Sequence, residues 1–254
     1  MVMGFGCTKS NKFWFKLIFQ SSITLLKTKI MKQIVLLFIV MLLPITAVSQ
    51  TEINGIYYNL DKKLKTAVVT NRSYSETYEG SITIPNKVRY EGVEYIVTEI
   101  GKNAFSRCSR LTSVTIPDGV RDIGSYAFCE CYNLETVNIP NSVRNIGMGA
   151  FQDCQKLKSI ILPNINRIME RTFQGCKSMT SITIPQDVKL IGYMAFYDFG
   201  DNATITILSD YTKIEANAFY ACSVKTIFVP KGTINYYKRM SGFAPNCKER
   251  FKEK

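Results

Sequence analysis

Apolar residues repeat along the middle of the chain with a nearly constant period. A phenylalanine recurs at spacings of 23, 23, 22, 23 and 23 residues, at Phe105, Phe128, Phe151, Phe173, Phe196 and Phe219. An isoleucine five residues earlier keeps the same step, at Ile100, Ile123, Ile146, Ile168, Ile191 and Ile214. A fixed period of this length is typical of a stacked array, because one unit cannot bury its apolar side alone. We therefore predict a repeat solenoid of about six 22–23-residue units.

The pattern inside one unit, residues 111–131, predicts a short strand followed by a turn and a tight bend. Three apolar residues have the spacing of an inward-facing strand: Leu111, Val114 and Ile116. Pro117 ends the strand because proline cannot donate a ladder hydrogen bond, and Gly124 allows the sharp bend. Ala127-Phe128 is then expected on a helical or 3₁₀ turn. The predicted fold class is mainly β with short helical or 3₁₀ turns.

The repeat occupies residues 98–230, and the segments on either side lack it. An open end of a stacked array would expose apolar core and unpaired strand edges, so terminal units differ from the rest. We predict an N-terminal β cap at residues 50–97 and a C-terminal cap and tail at residues 231–254. In the C-terminal cap, Tyr237 and Phe243 are expected to pack on the last unit.

Two stretches are expected to be less ordered than the rest of the array. Between Asp198 and Asp210 the pattern loses its cysteine, its leucine and its proline. This loss predicts a looser unit, with a loop at residues 200–202. The charged tail, residues 248–254, is expected to fray.

The first fifty residues have the form of an export signal. Residues 31–49 contain a basic start, an apolar run, Pro44 and small residues before a cut after Ser49, which is the organisation of a secretory signal peptide. The apolar run is shorter than the roughly 20 residues of a transmembrane helix; an uncleaved membrane anchor is the alternative. Met31 is then the expected initiator, and residues 1–30 are an upstream extension or, alternatively, a long amphipathic n-region.

The repeat resembles the BspA-like class of bacterial leucine-rich repeat. That class carries C-x-x-L-x-x-I-x-I-P followed by V-x-x-I-G-x-x-A-F. The first matching copy here consists of Cys108, Leu111, Val114, Ile116, Pro117, Val120, Ile123, Gly124, Ala127 and Phe128. The next copy consists of Cys131, Leu134, Val137, Ile139, Pro140, Val143, Ile146, Gly147, Ala150 and Phe151. The resemblance implies a leucine-rich repeat array and, by analogy, adhesion to host extracellular matrix or to other cells.

Charge and composition exclude several classes of function. The formal charge is +12, but half of it comes from six lysines in residues 1–50, and no basic stripe alternates with aromatics. Nucleic acid is therefore not an expected partner. The chain has no histidine, which removes histidine general bases, Ser-His-Asp triads and the commonest zinc sites. Carboxylate chemistry stays open in principle. We predict no enzymatic activity, no metal and no cofactor.

Five of the eight cysteines occupy one position of the repeat, three residues after the phenylalanine: Cys108, Cys131, Cys154, Cys176 and Cys222. Unpaired cysteine packs as a small apolar residue, so we predict a column of buried thiols. Parallel side chains in neighbouring units hold their Cβ atoms farther apart than a disulfide allows. Cys129 and Cys247 are expected outside the column, with Cys129 facing solvent.

The strand positions between the buried ones form the candidate binding face. They are nearly uncharged and rich in hydroxyl groups: Ser113, Thr115, Thr136, Asn138, Ser159, Ile161, Ser181, Thr183, Thr204, Thr206, Thr226 and Phe228. Threonine suits a half-buried pleated surface, which by itself explains such a row. The alternative is a recognition face of the kind that solenoids present to partners. Ile161 and Phe228 are then the first candidates for anchors.

The predicted function is a secreted or cell-surface leucine-rich repeat protein that mediates protein–protein binding or adhesion. Its expected partner is a host matrix or cell-surface protein, by family resemblance, and a glycan partner is possible. The alternative is a secreted inhibitor or a glycan-binding accessory protein. The membrane is expected to matter only through the signal peptide, and the protein is expected to be a monomer that is secreted, periplasmic or held at the cell surface.

Overall fold

The computed structural model describes residues 50–72, 77–200 and 202–254. The predictions for residues 1–30 and 31–49 lie outside the described residues. The strands are β1 (Gln50–Ile53), β2 (Ile56–Asp61), β3 (Thr66–Thr70), β4 (Gly80–Thr83), β5 (Lys87–Tyr90), β6 (Val93–Ile100), β7 (Leu111–Thr115), β8 (Asp122–Ile123), β9 (Thr136–Asn138), β10 (Asn145–Ile146), β11 (Arg167–Ile168), β12 (Ser181–Ile184), β13 (Leu190–Ile191), β14 (Thr204–Ile207), β15 (Lys213–Ile214), β16 (Thr226–Val229) and β17 (Phe251–Glu253). One short helix, α1 (Ile234–Lys238), and one 3₁₀ helix (Pro245–Arg250) follow the array.

The chain winds into a β-solenoid of about seven turns, as the repeat period predicted. Each regular unit contributes one strand to a front side and one short strand to a rear side. The front sheets have the strand orders β4-β7-β9 and β12-β14-β16-β17, and their pairs are parallel. The rear side continues from β6 through β8 to β10 and resumes as β11-β13-β15. Parallel pairing in step is what a repeat of constant length produces.

The third side of each unit is a tight bend that carries the repeated phenylalanine. In a representative bend, Tyr126 and Glu130 have positive φ angles of 58° and 60°. The N–H groups of Tyr126, Phe128 and Glu130 donate to carbonyls of the next unit at 2.8–2.9 Å. Each bend is thus hydrogen-bonded to the following one over its whole length, and we call this side the turn side.

The phenylalanines form a continuous stack in the core. Successive ring centroids from Phe105 to Phe219 lie 4.8–5.6 Å apart, with interplanar angles of at most 14°. All six rings are fully buried. Tyr78 extends the stack at its N-terminal end with a tilted ring 4.7 Å away, and Phe243 extends it at the other end with a stacked ring 4.7 Å away. Offset stacking at these distances adds to the burial of apolar surface.

The two ends of the array are covered by different structures. Before the repeat, β1, β2 and β3 pair antiparallel, and β3 pairs parallel with β6. β5 and β6 form a hairpin that turns at Glu91-Gly92. After the repeat, Tyr237 is fully buried and its hydroxyl donates to Ser209 O at 2.6 Å. Tyr237 and Phe243 therefore pack on the last unit, as expected.

The expectations about disorder are corrected for the strand of the looser unit and for the tail. Within 198–210, β14 is regular, because it pairs with β12 on one side and β16 on the other. Gly200 and Asn202, in the predicted loop, belong to no helix or strand, and residue 201 lies outside the described residues. Phe199 replaces the missing cysteine in the core and meets Phe196 edge to face at 5.2 Å. The tail does not fray, since β17 adds a parallel strand to β16 and covers the edge of the front sheet.

The cysteines lie in the core, and the prediction of a buried column is confirmed. The thiols of Cys131, Cys154, Cys176 and Cys222 donate to the phenylalanine carbonyl of the preceding unit at 2.6–3.2 Å. Two details are corrected. Cys129 is buried rather than solvent-facing, because the bend of the preceding unit lies on it, with Arg107 N–H donating to Cys129 O at 2.8 Å. Cys247 extends the column, with its thiol 3.8 Å from Cys222 O.

One unit, residues 155–168, interrupts both sides of strands. It belongs to the single 22-residue spacing of the array. In the regular units that have this proline, a hydrogen bond between residues three apart closes the turn that follows it. An example is the bond from Val143 N–H to Pro140 O at 3.2 Å. Here Ile165 N–H donates to Pro163 O, two residues away, at 2.8 Å. The missing residue has therefore tightened a four-residue turn into a three-residue one.

The strands on either side of this turn lose their regular pairing. On the front side, residues 160–162 belong to no strand, and Thr136 with Ser159 forms an isolated bridge. On the rear side, β10 and β11 do not pair. Four steps of the array carry a bond from the residue after the rear strand to the preceding unit, for example Gly147 N–H to Ile123 O at 2.8 Å. Within the described chain, no such bond joins Met169 to Ile146.

In the part of the chain that the structure describes, the helices are too short and insufficiently apolar to cross a bilayer.

Candidate functional site

The front face, which is the outward side of the front sheets, contains every residue of the predicted binding face. Along each strand these residues alternate with buried ones, because successive side chains of a strand point to opposite sides. None of the predicted face residues is buried, and most are exposed: Ser113, Thr115, Thr136, Asn138, Ser159, Ile161, Ser181, Thr183, Thr204, Thr206, Thr226 and Phe228. The structure therefore brings the predicted residues together on one surface.

Strand register arranges these residues in rows that run along the solenoid. Ser81, Ser113 and Thr136 are direct partners in neighbouring strands, and so are Ser181, Thr204 and Thr226. Neighbouring side chains in a row lie close enough to interact, as when the Ser113 hydroxyl donates to Ser81 Oγ at 2.7 Å. The rows hold hydroxyl and amide groups and no charged side chain over these strands. Phe228 is only half-buried, and its partner in β17 is Lys252.

The interrupted unit divides this face and exposes an apolar side chain at its middle. Ile161 is 84% exposed, the largest value among the exposed large hydrophobic residues of the described chain. A shallow space of about 300 Å³ lies on its N-terminal side, next to Thr136 and Asn138. A larger cleft of about 550 Å³ lies on its C-terminal side, between residues 159–164 and 181–187. We call the larger space the cleft.

The core is less tightly covered beside this division than elsewhere. The four inward residues that flank it are 7–8% exposed: Val137, Ile139, Ile160 and Leu162. Inward residues at the same positions of regular units are 0–2% exposed, including Val114, Ile182 and Ile207. Because neighbouring strands no longer cover them fully, these side chains form an apolar floor beside Ile161 that regular units lack.

Two residues of the cleft were not predicted. Leu208, which stands where other units have proline, is 45% exposed and also lines the cleft. Asp187 is the one charged residue among the described residues that line it, and it takes part in none of the ion pairs found among the described residues. The signal that could have found them is the shortened spacing together with the missing proline, since both occur on the same side of the array.

A second groove, of about 540 Å³, lies on the rear side at the same interruption. It is lined by Glu99 and Asp122 at one end and by Arg144 and Arg167 at the other. Burial and the nearby carboxylate of Asp122 raise the pKa of Glu99. Asn145 donates to Asp122 Oδ1 at 2.6 Å, so this acid already has a partner. Over the described residues, no group of three histidine, cysteine, aspartate or glutamate side chains is placed to hold a metal ion.

Comparison with protein families agrees with this geometry. A model of the BspA type leucine rich repeat region matches residues 67–199 and 166–241, in six copies, and so covers more than half of the chain. The chain belongs to the BspA-type leucine-rich repeat family. Members of the BspA-type family are typically non-catalytic repeat scaffolds of the cell surface. The resemblance found in the repeat residues is thereby confirmed.

Solved structures of bacterial leucine-rich repeat proteins share the fold. A leucine rich cell surface protein from Faecalibacterium prausnitzii A2-165 is 28% identical with a TM-score of 0.63, over 81% of this chain and 54% of that one. The chain thus spans about half the length of that relative. A leucine rich repeat protein from T. pallidum is 21% identical with a TM-score of 0.58, over 77% of this chain and all of the other, and this likeness concerns the fold alone. No curated protein matches the chain.

Proposed function

We propose that this BspA-type protein is exported and binds another protein at the cell surface through its front face, so that it mediates adhesion. The observation that carries the proposal is the front face itself. Eleven uncharged outward side chains, ten of them on parallel strands, surround Ile161, which is 84% exposed. An uncharged face with an apolar centre and a polar surround has the composition of a protein-binding patch.

Relatives and surface chemistry support the same proposal. The similar chain from Faecalibacterium prausnitzii is described as a leucine rich cell surface protein, and a solenoid offers an extended surface suited to partners. Catalysis is not part of the proposal, because the front face contains neither an acid–base pair nor a nucleophile beside a base. The partner class is a matrix or cell-surface protein, and a glycan or an inhibited enzyme is the competing class.

The test is a binding assay with the full chain against immobilised matrix proteins and, in parallel, polysaccharides. A variant that carries Thr136→Arg and Thr183→Arg places two cations on the front face. A matched variant, Gln155→Arg with Ser178→Arg, adds the same charge at exposed positions off that face. We expect saturable protein binding that only the first variant loses. Equal binding by both variants, or saturable binding to polysaccharides alone, contradicts the proposal.

A further inference from the structure

The cleft beside Ile161 differs from the rest of the front face in shape and chemistry. Elsewhere the face consists of rows of hydroxyl and amide groups with one shallower space of about 300 Å³, whereas the cleft has a volume of about 550 Å³. Its lining includes Ile161 and Leu208, which are 84% and 45% exposed, and the inward residues Ile160 and Ile182. Exposed apolar side chains beside a partly open core are costly to leave in water, since they lack contacts that a partner could supply.

The cleft runs parallel to the strands. Its lining residues follow one another along the chain on both walls, from Ser159 to Asn164 on one side and from Ser181 to Asp187 on the other. A segment in extended conformation follows such a direction, and the length of β12 corresponds to about 13 Å of extended chain. Hydroxyl and amide groups at the rim, from Ser159, Thr183 and Gln186, can exchange hydrogen bonds with its backbone.

Charge selects among the segments that could enter. Asp187 lies at one end of the cleft and is the one charged group that lines it among the described residues. An anionic segment would be repelled there, whereas a lysine or arginine side chain would form an ion pair. The apolar walls require an aliphatic or aromatic side chain next to that cation. Peptides combine these two features within a few residues.

We propose that the cleft is the docking point for an extended segment of a partner protein. The segment places an aliphatic or aromatic side chain against Ile161, and a cationic side chain beside Asp187. This proposal rests on the proposed function, because it names the chemistry of the partner segment and places its binding point at the centre of the same front face.

The probe is a phage-displayed library of random linear dodecapeptides, selected on the immobilised full chain. The selected peptides are expected to contain an apolar residue next to lysine or arginine. A synthetic copy of the most enriched peptide is then titrated against variants by fluorescence anisotropy. We expect Ile161→Ser to weaken binding by about tenfold, and Asp187→Asn by about two- to fivefold, with the latter difference lost at high salt.

The matched control is Leu64→Ser, which removes an equally aliphatic side chain that is 68% exposed and lies in the turn between β2 and β3. It should leave peptide affinity unchanged. Because Ile161 is almost fully exposed, Ile161→Ser should keep the unfolding midpoint of the parent, and this measurement separates lost contact from lost fold.

A further variant separates failure of the cleft from failure of the front face. Thr226→Arg places a charge on the front face three strands away from Ser159. Suppose that Thr226→Arg abolishes binding of the selected peptides while Ile161→Ser binds them fully. That result would contradict the cleft proposal but not the front-face proposal. Peptides indifferent to both changes would count against both proposals. A selection that enriches no peptide, or an oligosaccharide array that yields a neutral sugar dependent on Ile161, would also overturn the cleft proposal.

Discussion

The turn side and the front side of the solenoid respond differently to the loss of one residue. At the turn side, Phe151 and Phe173 still stack, at 5.6 Å, and Phe151 N–H donates to Thr172 O at 2.9 Å. On the front side of the same unit, regular strand pairing stops and the side chain of Ile161 is exposed to solvent. The bends therefore hold the array together, and the strands absorb changes in unit length. An irregular strand can thus serve binding without breaking the stack.

The largest effect is expected from removing a ring of the turn side. Phe151→Ala deletes a fully buried phenylalanine between two stacked neighbours and should lower the free energy of unfolding by about 3–5 kcal/mol. Tyr132→Ala is the matched control, because that side chain is 40% exposed. Chemical denaturation of both variants gives the comparison. Equal denaturation midpoints would show that the phenylalanine stack does not hold the array.

A glycine on the regular part of the rear side should be the next most sensitive position. A Cβ atom at Gly147 would lie 2.5 Å from Ser125 N and 2.8 Å from Gly124 C, both backbone atoms that cannot move aside easily. Gly147→Ala should therefore cost about 1–3 kcal/mol of stability.

The control for this glycine is the interrupted unit, where Met169 stands at the equivalent position and makes no bond to Ile146 in the described chain. Met169→Ala should change the unfolding midpoint less than Gly147→Ala. The opposite order would mean that the rear side is as tightly joined at the interruption as elsewhere.

Sequence pattern predicted the regular part of the molecule well. The spacing of phenylalanine, isoleucine and cysteine was sufficient because each repeats at one buried position, and burial requires the same residue type in every unit. The outward side of each strand followed from alternation, which placed Ile161 on the front face.

The parts that could not be predicted depend on contacts between distant segments. The tail residues Phe251–Glu253 look charged and free in sequence, but they find an open strand edge at β16. The weakened pattern at 198–210 suggested a loose unit, yet pairing on both sides keeps its strand, β14, regular. The 22-residue spacing shows that one residue is missing, but its effect on pairing depends on the tightened turn at Pro163.

The buried thiols should make stability depend on alkaline pH. Burial raises the pKa of Cys108 and Cys129 to about 11 and that of Cys222 to about 12, above the ordinary value of 9.0. The unfolded chain therefore ionises first as pH rises, so the contribution of these thiols is complete below about pH 9 and is lost as pH rises through 11 to 12. The unfolding midpoint should fall over this range, and Cys222→Ala should make the fall smaller. An identical alkaline profile for that variant would contradict the assignment.

A small stabilisation is expected from repairing the shortened turn. Alignment with Pro140-Asn141-Ser142-Val143 shows that the position of Ser142 is missing from the interrupted unit. Inserting serine between Asn164 and Ile165 should restore the four-residue turn and regular pairing, and raise stability by about 1 kcal/mol. The cleft should close, so affinity for the selected peptides should fall. If the insertion raised the unfolding midpoint but left peptide affinity unchanged, the cleft would not depend on the shortened turn.

Hydrogen exchange of backbone amides compares the two sides most directly. The amides of residues 160–162 belong to no strand, whereas those of Ile205–Ile207 lie in β14 between two paired neighbours. The account predicts that residues 160–162 exchange much faster than residues 205–207, while the amides of Phe151 and Phe173 stay as protected as those of Phe128 and Phe196. Equal protection of the two front segments, or fast exchange at Phe151, would contradict the account that the bends hold the stack while the strands yield.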